Sequence, residues 1–151
     1  MTPKKLGRRI FKVLTTLVAI WGALQLVAWK MSSGDEGSNR FNRTAIFGGN
    51  EFTSVAGRLQ SGRVAAVLGG IAVDLRGAQL DGEGADLAID CKLAGVSVAV
   101  PDTWRVVIVE QNTTAGDIVL DVPDPTTLPE DAPVLRINAT TVMGGIAVGT
   151  R

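Results

Sequence analysis

Two kinds of apolar patterning divide the chain near residue 30. From Val13 to Trp29 no charge occurs, and extension back to Ile10 gives 20 residues interrupted only by Lys12. In a helix, about 17–20 residues cover about 26–30 Å, close to the thickness of a bilayer's hydrocarbon core. The pattern predicts a basic N-terminus over 1–9 and a transmembrane helix over 10–30. Lys12 is expected to snorkel to one interface and Trp29 to sit at the other. A cleaved signal peptide would share the charge pattern, but the apolar run is long for one and no clean A-x-A site follows it. A buried soluble helix would need a partner, and nothing later in the chain looks like one. The stretch "MSSGDEGSNR" then reads as part of a flexible linker over 31–43.

Beyond Asn42 the period changes to that of β-structure. Short runs rich in Val, Ile, Thr and Leu are broken by Gly, Pro, Asn and Asp, without a sustained helical period. Five copies of one unit align over 44–151: "TAIFGGNEF", "AAVLGGIAV", "DCKLAGVSV", "NTTAGDIVL" and "TTVMGGIAV". The fourth fits after a one-residue shift. Their small pairs are Gly48–Gly49, Gly69–Gly70, Ala94–Gly95, Ala115–Gly116 and Gly144–Gly145, spaced 21, 25, 21 and 29 residues apart. Such spacing is that of stacked rungs in a solenoid, with the length differences taken up in loops. The longest interval contains "VPDPTTLPEDAP", whose four prolines exclude a central strand and predict a protruding loop.

A small pair in every copy suggests a corner that recurs in every rung. The corner glycines are Gly48, Gly49, Gly69, Gly70, Gly95, Gly116, Gly144 and Gly145. Their expected service is a backbone with φ > 0 or close approach between rungs. After the corner, Ile71, Val73 and Leu75 alternate with Ala72 and Asp74, which gives one buried face and one that tolerates polar groups. Further strand-like runs, "DLAIDC", "WRVVIVE" and "PVLRINA", give each rung more than one strand. The first copy is more polar and suits an end of the stack, and the last copy reads as a terminal rung. The competing arrangement is a two-sheet antiparallel sandwich with Gly in its turns. Hairpin tips usually show Asn-Gly or Asp-Gly, however, and the pair in "VLGGIAV" is flanked by apolar residues on both sides.

Composition narrows the chemistry. The chain has no His, no Tyr and one Cys. An internal disulfide and a zinc site built on Cys or His are excluded, and the usual acid–base and nucleophile sets are missing. The reading is non-enzymatic, with no catalytic residue, metal or cofactor assigned. The formal net charge is zero, but residues 1–30 carry six basic groups and no acid, which leaves nine basic against fifteen acidic beyond them. So acidic a domain is a poor partner for nucleic acid. The asymmetry places the N-terminus in the cytoplasm and the β domain outside, by the positive-inside rule.

Three smaller features carry groups able to form a site. Cys91 reads as a small buried hydrophobe in a column with Ala45, Ala66 and Thr141. Asp81, Glu83, Asp86 and Asp90 lie close together but match no calcium-loop pattern, and read as a solvated turn. Asn112 reads as a turn residue.

The segments "AVLGGIAVDLRGAQL", "LAGVSVAVPDTWRVVIV" and "PVLRINATTVMGGIAV" together resemble the C-terminal domain of LiaF-like proteins, the cell-wall-active antibiotics response family. The likeness covers residues 44–151. It departs from the family pattern in keeping the copy's Phe only at Phe47, and in having one membrane span. The resemblance implies a right-handed single-stranded β-helix, here of about five rungs. It also implies a bacterial protein of the plasma membrane that senses or modulates cell-envelope stress by binding a membrane sensor or another envelope protein. The alternative is a self-associating β-solenoid scaffold, since solenoid ends offer unpaired strands.

Overall fold

A computed structural model describes residues 3–150, with side chains described from Ile10 to Val27, at Lys30 and from Ser32 onward. One helix, α1 (Pro3–Met31), precedes a β domain of eight strands. These are β1 (Arg40–Thr53), β2 (Ser61–Asp74), β3 (Ala85–Lys92), β4 (Gly95–Ala99), β5 (Arg105–Thr114), β6 (Asp117–Asp121), β7 (Val134–Val142) and β8 (Gly145–Gly149). Every ladder between them is parallel. The chain is therefore mainly β and solenoid-like, and it is not an antiparallel sandwich. The linker is shorter than the composition implies, because Arg40–Arg43 already belong to β1 and pair with Ser61–Val64.

Each copy of the repeat contributes two strand segments that meet at the small pair. In the first two copies the segments remain one continuous strand, and β1 pairs with β2 along its whole length. β2 then divides its partners: its first half pairs with β3 and its second with β4. The register superposes the copies position by position, as in Ile71↔Val96 and Val96↔Ile146. In the fourth copy Asp117 pairs with Gly145, which makes the one-residue shift explicit.

The order of stacking differs from the order in sequence. β3 and β4 pair on their far side with β7 and β8, and only beyond these come β5 and β6. The copies thus stack as first, second, third, fifth, fourth. The last copy is interior, not terminal as its place in the chain suggests. Its insertion explains the long interval before it, since residues 122–133 must return from the outer edge to a slot between two strands. That segment runs as a loop with a short 3-10 turn at Pro125–Thr127, capped by the Asp124 carboxylate.

Alternation fills the interior. Ile71, Val96 and Ile146 form one inward column, Val73, Val98 and Val148 a second, and Leu87 with Ile137 a third. Leu59, Leu75, Ala78 and Val100 close the remaining side. Leu59 and Leu80 there form a parallel bridge outside the named strands. The end of the core next to α1 is plugged by Phe41 and Phe52, whose rings lie 4.7 Å apart.

Candidate functional site: corners, edges and the apolar helix

The corners are built differently from the sequence expectation. The residue with left-handed φ is the apolar one before the small pair: Phe47, Leu68, Leu93 and Met143, with Ala115 in the shifted fourth copy, all at 50–53°. Of the eight corner glycines, Gly48 alone has a positive φ, at 147°. In three of the five copies the small residue that follows the left-handed one serves close approach instead. A Cβ on Gly69 would overlap the Gly48 carbonyl oxygen, one on Gly144 the Ala94 oxygen, and one on Gly116 the Gly144 oxygen. The second residue is freer, with 3.4 Å from a Cβ on Gly70 to the Gly95 oxygen and open space at Gly49 and Gly95. The signal missed in the sequence is that the residue just before a Gly or Ala at the corner, bulky in four of the five copies, is the one forced into the left-handed region.

The acidic cluster is spent on ion pairs between copies. Arg58 binds Asp81 at 2.7 Å, Arg63 binds Asp90 at 3.3 Å, and Arg136 binds Asp86 at 2.8 Å. Hydrogen bonds from these arginines hold Asp81 and Asp86 below the ordinary carboxylate range. Arg136 also reaches the Glu83 carbonyl. Among the described residues no group of acids, Cys or His is arranged to hold a metal ion. Cys91 is buried and its thiol donates to the Ala94 carbonyl at 2.9 Å, while burial pushes its pKa up. A raised pKa and no access make a poor nucleophile. Asn112 lies within β5, not in a turn, with its amide on Glu110.

The two edges of the sheet are unlike. At the β1 edge the preceding chain covers the strand from Asn42 to Phe47. Ser33 and Asn42 exchange two backbone hydrogen bonds of 2.8 Å, the Thr44 amide donates to the Ser32 hydroxyl, and Gln25 of α1 donates to the Ile46 and Phe47 carbonyls at 3.1 and 3.0 Å. The β5–β6 edge pairs only inward, with β7 and β8, and Val107, Val109, Val119 and Leu120 are exposed along it.

Arg43 stands at the covered end, its guanidinium 4.1 Å from the Phe52 ring centre and donating to the Gly34 carbonyl. An open depression of about 910 Å³ beside it is lined by Asp35, Glu36 and Glu51.

α1 is long and apolar enough to cross a membrane, with a mean hydropathy of 1.8 over Ile10–Val27 and none of that window buried. Thr15 and Thr16 return their hydroxyls to the carbonyls four residues back, which suits an apolar surround. Lys12 is exposed on this helix. The side chain of Trp29, expected at the opposite interface, lies outside the described residues, as do those of the basic N-terminal stretch. Comparison with family models, with curated proteins and with solved structures returns no match.

Proposed function

We propose that this protein is a membrane-tethered, non-catalytic binding module: a right-handed single-stranded β-helix of about five rungs carried by one transmembrane helix. Right-handedness is the rule for parallel crossover connections. The N-terminus lies in the cytoplasm and the β domain outside the plasma membrane, as the excess of Lys and Arg before the span requires. The observation that carries the reading is the join between helix and domain. An apolar helix without a covering partner is fastened to the β1 edge by Gln25, Ser32 and Ser33, so the domain is held at a fixed place beside the helix.

The copies' likeness to LiaF-like proteins supports a role in sensing or modulating cell-envelope stress through contact with a membrane sensor or another envelope protein. Crosslinking in intact membranes followed by capture of the full chain tests this. A defined membrane or envelope protein should be recovered, and recovery of background alone sinks the reading. Protease added to intact and then to lysed cells tests sidedness: the β domain should be cut in both.

The open β5–β6 edge favours a second reading, self-association. With the β1 edge covered from Asn42 to Phe47, head-to-tail growth is disfavoured, and the reading is a pair joined through the open β5–β6 edges. Light scattering of the full chain in detergent should show nothing larger than a dimer protein mass.

A further inference from the structure

The left-handed residues of the corners form an apolar ridge that neither the core nor another element uses. In stacking order they are Phe47, Leu68, Leu93, Met143 and Ala115, and the four large ones are 45, 41, 50 and 60% exposed. At about 4.8 Å between neighbouring strands, the ridge is about 19 Å long. Each of these side chains is followed by Gly or Ala, so no side chain beyond the corner shields it. The residue before the ridge is, in the same order, Ile46, Val67, Lys92, Val142 and Thr114, which adds one cation and no acid.

The ridge continues from the apolar helix. α1 runs antiparallel to the first half of β1, with Ser33 beside Asn42, Ser32 beside Thr44 and Gln25 on the Ile46 and Phe47 carbonyls. Gly22, Leu24 and Gln25 are half-buried, and every residue from Ile10 to Trp21 is exposed. That free segment is about 18 Å long, well short of a hydrocarbon core of about 30 Å. To span, the helix must use Gly22–Val27 as well, which is the part lying beside the corner. Whatever depth of bilayer surrounds Gln25 therefore also reaches Phe47.

We propose that the corner ridge is a second membrane contact: the β domain rests on the bilayer surface along Phe47, Leu68, Leu93 and Met143, with Lys92 against anionic headgroups. This rests on the reading of α1 as a membrane span. Apolar side chains laid at the headgroup–acyl boundary gain by leaving water, and a nearby cation adds attraction to anionic lipid. The contact fixes the stack parallel to the membrane plane and turns the far ends of the strands outward.

Single cysteines in the full chain, labelled with an environment-sensitive fluorophore in vesicles of phosphatidylcholine and phosphatidylglycerol, test it. The native Cys91 is buried and does not compete for label. Leu68→Cys, Leu93→Cys and Met143→Cys should give blue-shifted emission, quenched by lipids brominated near the headgroup. Thr103→Cys, at the opposite end of β5 from its corner, should stay water-like, and Val18→Cys should be quenched by deep bromines. Deep quenching at Val18 with water-like emission at all three corner sites would overturn the ridge contact and leave the span standing. Water-like emission at Val18 overturns both. Three corner sites keep the test decisive if one variant misfolds.

Discussion

Gly69 is pressed against Gly48 so closely that a Cβ on Gly69 would overlap the Gly48 carbonyl oxygen, while Gly95 one copy further on faces open space. Gly69→Ala must therefore push two strands apart at their corner, and should cost about 1–3 kcal/mol as overpacking does. Gly95→Ala should stay within about 0.5 kcal/mol of the parent. Urea unfolding of the detergent-solubilised chain measures both. Equal stabilities would show that the corner does not hold this spacing in solution.

Leu93 carries a φ of 50° with a full side chain, a conformation costing about 1–2 kcal/mol for an L-residue. Asparagine tolerates it and a β-branched residue does not. Leu93→Asn should match or exceed the parent in urea, whereas Leu93→Ile should lose about 1–2 kcal/mol despite equal hydrophobicity. The reverse ranking would mean that burial, not backbone strain, decides the position.

The stacking order carries its own consequence. Among the described residues, β5 and β6 have no strand partners except β7 and β8. Removal of residues 134–151 should strip the fourth copy of its ladder along with the fifth. Hydrogen exchange on a chain ending at 133 should show β5 and β6 amides unprotected, while β2 keeps protection. Protected β5 amides would imply that the fourth copy docks directly on the third, as in a sequential stack.

The sequence made some of this legible and hid the rest for definite reasons. The spacing of the small pairs disclosed the repeat, and "VPDPTTLPEDAP" disclosed a loop, because proline cannot serve a central ladder. The order of the copies was not legible. Val96 offers Ile71 and Ile146 the same apolar face at the same register, so the alternation fits either neighbour. The corner chemistry was half legible: glycine signalled a tight place, but two demands met there. Close approach took Gly69, Gly116 and Gly144, and positive φ fell on bulky residues that propensity alone would not have chosen. The acidic run around Asp86 read as a solvated turn, but Asp86 and Asp90 lie in β3 and pair with arginines; Arg58, Arg63 and Arg136 are distant in sequence, so the pairing was not legible.

Two ion pairs, Asp74 with Arg76 and Asp86 with Arg136, each at 2.8 Å, give the acid side of the stability profile its shape. Asp74 is lowered to about 2, chiefly by the Arg76 side-chain hydrogen bond and then by the Arg76 backbone amide. Arg76 is two residues away, so part of that contact survives in the unfolded chain. Asp86 is lowered by Arg136, which lies 50 residues on and comes near only on folding. A carboxylate depressed in the folded state stabilises above its unfolded pKa, near 4, and loses that contribution as pH falls through the folded value. Stability should fall as pH drops below about 4. Asp86→Asn should flatten this fall more than Asp74→Asn, although the Asp74 shift is the larger. Unfolding midpoints from pH 6 down to pH 2 compare them, and a larger flattening in Asp74→Asn would show the local pair to be absent from the unfolded chain.

Gln25 is the polar link between the apolar helix and the first corner, and its amide serves two carbonyls that a β-edge would otherwise leave open. Gln25→Leu keeps roughly the side chain's size and raises the helix's hydropathy, but removes both donors. Each lost hydrogen bond is worth about 0.5–1.5 kcal/mol, and more if its acceptor is left buried. The global unfolding midpoint should move little, because the core columns do not involve α1. What should change is the docking: amides of β1 near Ile46 should exchange faster, and protease should reach the segment after Met31 more readily. Gln25→Glu would place a carboxylate against two carbonyl oxygens and should loosen the join further. If both variants leave exchange at β1 unchanged, Ser32 and Ser33 hold the helix alone, and the fixed geometry between helix and corner ridge must be attributed to them.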